Sequence, residues 1–232
     1  MTGGSSIPRI RGTKESDSYF GLMKNILFYI PPKIDYFSFY FRAAIYIGII
    51  LWGLKFIFTP MASNYSGRSI LHLINLPFHE AGHIFFGFFG QFIRSLGGSM
   101  GQLLMPLICL FTLLIKTRDT FGAAVCLWWF GENFIDIAPY MNDANKLTMM
   151  LLGGNTGSSA PYGFHDWEYL LTELGLIKYT SILANGTFVV GATIMILSYV
   201  WGGFLLIKQY KYFMENAENR LPHPPKTRPD VM

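Results

Sequence analysis

The chain has 232 residues, of which 51% are hydrophobic, 17% aromatic and only 14% charged, against the roughly 25% charged of a typical soluble domain. With a mean hydropathy of +0.33, this composition excludes a disordered chain, a collagen-like chain and a disulfide scaffold, and it points to an integral membrane protein of one domain or at most two small ones. The net charge of +4 reads as basic cytoplasmic flanks and not as a nucleic-acid surface.

Residues 1–19 are polar, with no apolar core of a secretory leader, and read as a disordered basic tail. Residues 20–36, broken at Pro31-Pro32, suit an interfacial helix, so 1–36 forms a cytoplasmic N-terminal region. A membrane-embedded domain follows over 37–207. Its first span is 37–59, with Arg42 and Lys55 near the ends where they can snorkel. Residues 60–68 are a turn-rich loop, and 69–93 a second span. The run RSLGGS at 94–99 reads as a glycine loop, 100–115 as a short third span and 116–119 as a charged turn. Residues 120–141 form an aromatic-rich fourth span and 142–165 a polar, glycine-rich loop. Residues 166–177 form a short amphipathic helix with Asp166 as N-cap and Gly175 as its stop. The last span is 181–207, where Gly186, Gly191, Gly202 and Gly203 suit close helix packing. A polar tail, 208–232, completes the chain.

The expected fold is an all-α helix bundle of about five to six spans. Basic residues near both ends, among them Arg9, Arg11 and Lys24, then Lys208, Lys211 and Arg228, put both termini in the cytoplasm by the positive-inside rule. That requires an even number of spans where five are counted, so either one segment, the short 100–115 run first, is re-entrant or interfacial, or a further span is present. Cys109 and Cys126 lie in apolar runs without any zinc-finger spacing and read as small buried hydrophobes.

The chemistry sits in the second span. Residues 79–83 read His79-Glu80-Ala81-Gly82-His83. On a helix, residues i and i+4 share a face, so both imidazoles can bind one zinc ion. Glu80 then projects beside the metal as general base, taking a proton from a water whose pKa the ion lowers to roughly 7. An ionised side chain at mid-bilayer costs about 2.5–3.5 kcal/mol, and a metal is a compensating reason for Glu80 to be there. His72, Asn75, His79, His83 and Glu80 form one polar stripe on an otherwise apolar helix, which must face a bundle interior. His72 lies two turns from His79, suited to the mouth of the site and not to ligation.

A catalytic zinc takes three protein ligands and a water. His165, one of only five histidines, follows a glycine-serine loop able to fold back over the site, and is the leading third ligand. Asp136 and Glu132, four apart on one face, are alternatives, with Asn133 between them; either carboxylate could instead take the free N–H of a ligating imidazole. Asp166 is a further alternative.

With these residues the chain resembles the membrane-embedded zinc metalloproteases of the site-2 protease class. The likeness lies in the HExxH motif within an apolar span and in a later span bearing Asn133 and Asp136. That class takes a third ligand from an aspartate in a later helix, typically followed by glycine; here Ile137 follows Asp136. Residues 69–175 are also similar to a group of small bacterial membrane proteins that share FHEAGH-, GENFIDIAPYMNDA- and HDW-like segments, and that bring no known substrate. The resemblance implies a multi-pass protein of the bacterial inner membrane, with its N-terminus cytoplasmic. It implies a zinc-dependent hydrolase cleaving a membrane-associated protein or peptide. Its partners are the lipid bilayer and that substrate, with no nucleic acid. A non-catalytic metal-stabilised scaffold, a partner-binding subunit and a transporter are the alternatives.

Overall fold

Long apolar runs, with polar groups confined to short stretches, favour helices, which satisfy their backbone hydrogen bonds internally. The structure, a computed structural model, describes residues 12–31 and 35–218. Among the described residues every regular element is helical, and the one strand-like feature is an isolated antiparallel bridge between Met150 and Thr156. Helix α1 (Gly12–Leu27) starts inside the stretch expected to be a disordered tail. Its end is fixed where Trp201 Nε1 donates to Leu27 O at 3.0 Å. The rest of that stretch, 1–11, lies outside the described residues.

Helix α2 (Tyr36–Phe58) matches the first expected span and is N-capped by Asp35, which accepts the Ser38 N–H at 2.7 Å. Neither cation near its ends is left unengaged. Arg42 pairs with Asp119 at 3.4 Å, and the Lys55 ammonium lies 4.7 Å from the centre of the Tyr65 ring. Two short 3₁₀ turns lead to α3 (Ile70–Phe86), capped by Ser69. At 17 residues, α3 is shorter than the expected 69–93, because 3₁₀ geometry at Gly87–Phe89 and a positive φ at Gly90 break it.

The next helix, α4, occupies Gln91–Phe111 and continues as π-helix over Thr112–Thr117. This corrects two expectations. The 94–99 run is helix and not loop, and the short 100–115 run belongs to a 27-residue segment long and apolar enough to cross a membrane. The glycines explain both errors, since they serve packing and not a turn. A Cβ on Gly82 would overlap Gly97 O, and one on Gly101 would overlap Phe78 O. Small residues here let α3 and α4 approach backbone to backbone. Gly82→Ala should therefore destabilise the protein by about 1–3 kcal/mol, even though alanine is the better helix former by about 1 kcal/mol. Gly48→Ala on α2, with nothing within 4 Å of the new Cβ, should leave thermal unfolding in detergent unchanged or raise it.

Helix α5 (Thr120–Asp143) carries the longest list of buried residues and packs along α7 (Thr180–Glu218). Gly131 and Gly191 form that contact: a Cβ on Gly191 would lie 2.6 Å from Gly131 O. Gly202 and Gly203 face Tyr46, while Gly186 faces open space and serves no packing. Helix α7 runs well past 207, because Phe213 packs on Tyr36 and Phe39 and extends the helix into the expected polar tail. Between α5 and α7 lies α6 (Asp166–Glu173), stopped by Gly175 at φ 69° as expected.

Three of these helices, Tyr36–Phe58, Gln91–Thr117 and Ile177–Glu215, are long and apolar enough to cross a membrane. One apolar cluster joins Phe56, Leu71, Trp128, Ile135 and Met195, uniting α2, α3, α5 and α7. A second joins Ile137, Met141, Leu171 and Ala184. It pins the short α6 against α5 and α7, and so fixes where Asp166 points.

Candidate metal centre

The helical spacing of His79 and His83 puts their rings 4.8 Å apart on one face of α3. Each ring is oriented through Nδ1. His83 Nδ1 lies 2.8 Å from Arg94 O; a carbonyl only accepts, so Nδ1 carries the proton. The His79 ring is oriented through Asn133 and Gln102. Asn133 Nδ2 donates to Trp129 O at 2.9 Å, which turns Asn133 Oδ1 toward Gln102. Gln102 Nε2 donates to that oxygen at 3.2 Å, which turns Gln102 Oε1 toward His79 Nδ1, 2.7 Å away. His79 therefore donates from Nδ1 as well, and both Nε2 atoms present lone pairs.

Those lone pairs converge on a carboxylate. Asp166 Oδ2 lies 3.2 Å from His79 Nε2 and 3.3 Å from His83 Nε2. One ligand atom from each of the three residues fits within a 4.8 Å group. A tetrahedral ion with bonds of about 2.0–2.2 Å holds its donors roughly 3.3–3.6 Å apart, so the His–Asp spacings fit such an ion. Space is provided too: a Cβ on Gly98 would lie 2.5 Å from His79 Nε2 and 2.6 Å from His83 Nε2. Only glycine at 98 leaves that side of the donors clear. The donor set and the cradle thus suit a small divalent cation.

Asp166 is thus not the N-cap expected of it. His165 caps α6, its Nδ1 accepting the Glu168 N–H at 3.2 Å. This leaves the proton on His165 Nε2, which faces Asp143 Oδ2 at 3.6 Å. Burial pushes the His165 pKa down, against the opposing pull of Asp143. His165, expected as third ligand, lies outside the cluster because its Nδ1 is committed to the cap and its Nε2 is turned toward Asp143, 3.6 Å away and beyond hydrogen-bond reach. Asp143 also accepts from Thr148 N, Thr148 Oγ1 and Met149 N, tying the loop base to the end of α5.

Asp136 and Glu132 belong to a neighbouring network and not to the cluster. Asp136 holds His72 Nδ1 at 3.0 Å from both oxygens. Asn75 Nδ2 donates to Glu132 Oε2 at 3.0 Å and to Asp136 Oδ2 at 3.2 Å, and Trp129 Nε1 donates to Asn75 Oδ1 at 2.8 Å. Asn133 reaches His79 through Gln102.

Glu80, His72, the cluster and Asp136 all line one cavity of about 820 Å³, closed on one side by residues 149–153 and Phe164. Three residues at the site escaped sequence reasoning: Gln102, Gly98 and Tyr140. The Tyr140 hydroxyl donates to Asp166 Oδ2 at 3.2 Å and accepts the Asp166 N–H at 3.0 Å, locking that carboxylate in place. Gln102 had a usable signal, an amide inside an apolar run; Tyr140, in an aromatic-rich segment, had none. Comparison of the chain with known protein families, with curated proteins and with solved structures finds no match in any of the three.

Proposed function

We propose that the protein is an integral membrane metallopeptidase of the HExxH type, acting on a membrane-associated protein or peptide. The observation that carries this reading is the convergence of two imidazole lone pairs and a carboxylate at tetrahedral spacing, beside Glu80 in a cavity large enough for a peptide. His79, His83 and Asp166 hold the ion, zinc by the nitrogen–oxygen character of the donors. When bound, it supplies Lewis acidity to water and to a substrate carbonyl. Glu80 takes a proton from the attacking water and returns it to the departing amine. Gln102 and the Arg94 carbonyl keep both histidines in the ligating tautomer, and Tyr140 keeps Asp166 from rotating away. With α2, α4 and α7 crossing the bilayer, α3 and α5 bring these groups together among them.

Glu80→Gln tests it. The variant should keep about one zinc per chain and the wild-type unfolding profile, while cleavage of transmembrane peptides falls by about 10²–10⁴-fold, the usual worth of a general base. Cleavage that survives the substitution, or a wild-type protein that takes up no metal, would sink the reading.

A further inference from the structure

Of the four arginines whose side chains are described, three are engaged. Arg42 pairs with Asp119, Arg68 donates to Ser63 O and Asn64 O, and Arg118 stacks over Tyr29. Arg94 differs. Its backbone is fixed twice, the N–H on Gly90 O at 2.9 Å and the carbonyl on His83 Nδ1 at 2.8 Å. Its side chain is exposed, lines the cavity, and has no hydrogen-bond or ion-pair partner among the described residues. It is also the one lysine or arginine along a wall that carries Glu80, Asp136 and Asp166. A free guanidinium on an anchored backbone, one carbonyl away from a ligating ring, is built to receive an anion. Its planar fork matches a carboxylate with two parallel hydrogen bonds. Because Arg94 lines the same cavity as the cluster, a group held by its guanidinium shares that cavity with the bond placed at the metal.

We infer that Arg94 is the specificity residue of the cavity, binding a substrate carboxylate near the scissile bond. This rests on the peptidase reading. The carboxylate is either an acidic side chain, which makes the enzyme an endopeptidase at acidic sites, or a free C-terminus, which makes it a carboxypeptidase.

The test separates binding from cleavage. Zinc-loaded Glu80→Gln protein in nanodiscs of neutral lipid is titrated with short apolar peptides. One has a free C-terminus and one is the same peptide amidated; the rest are amidated with a single Glu or Gln moved through the sequence. Peptides with a well-placed carboxylate should bind about 10- to 100-fold more tightly than their neutral counterparts, as charged hydrogen bonds do. Adding Arg94→Gln should abolish the difference, and Arg94→Lys should keep part of it. The peptide that shows the effect tells side chain from C-terminus. No peptide binding, no carboxylate preference, or a preference that survives Arg94→Gln overturns the inference. So does an effect of Arg94→Gln that appears only with anionic lipid, which assigns the residue to headgroups. Loss of zinc in Arg94→Gln also overturns it, because the contact to His83 is through the backbone. Carboxylate-dependent binding without cleavage by the wild type would leave the Arg94 site standing and remove the peptidase reading instead.

Discussion

Asp166→Ala, purified in detergent beside the wild type, should carry far less than one zinc per chain, while His165→Ala retains most of its metal. Asp166 supplies the oxygen 3.2–3.3 Å from both imidazole nitrogens, and its loss opens the donor set on one side. The cost should exceed the about 10–100-fold loss of affinity seen when a residue that merely supports a ligand is removed. His165 sits one residue away as the cap of α6 and as the partner of Asp143, so its removal belongs in that milder range. Elemental analysis after dialysis against buffered zinc decides the matter. A His165 variant stripped of metal beside an Asp166 variant that keeps it would overturn the proposed donor set.

Gly98→Ala should empty the centre without unfolding the protein. The added Cβ falls 2.5–2.6 Å from the ring atoms of both histidines, so the rings must move. Gln102 and the Arg94 carbonyl hold them where they are. Overpacking of this kind costs about 1–3 kcal/mol, or about 5- to 150-fold in zinc affinity and in any turnover that depends on it. Alanine favours the helix over glycine by about 1 kcal/mol, so thermal unfolding of the metal-free protein should hold steady or rise. Metal affinity and apo-protein stability moving in opposite directions is the signature of a residue that makes room. A fall in both would make Gly98 an ordinary packing glycine like Gly82.

The legible parts of the fold and site were those with a short period. Helices α2 and α7 announce themselves by unbroken apolar runs, and His79, Glu80 and His83 by their spacing on one turn of helix. What sequence reasoning misread depends on partners distant in the chain. The glycines at 97 and 98 look like a turn because glycine favours turns, and only α3 lying against them explains them as helix. Asp166 looks like an N-cap because aspartate prefers that position. The preceding histidine takes the cap, which frees the carboxylate for α3. His165 was chosen for its residue type, yet burial and the nearby Asp143 carboxylate give its ring another task. Asp136 and Glu132, alternatives for the third ligand by residue type, are buried instead against Asn75 and His72 on the first half of α3, apart from the His79–His83–Asp166 cluster. Tyr140 could not be told from the other aromatics of α5 by any local rule.

Asp166 follows His79 by 87 residues. Synthesis therefore delivers His79, Glu80 and His83 early and withholds Asp166 until α4, α5 and the long loop have been made. Through that interval the nascent chain holds half a reagent. The proposed centre would therefore be incomplete on the ribosome and in the insertion machinery, and complete only once the bundle that confines it has closed.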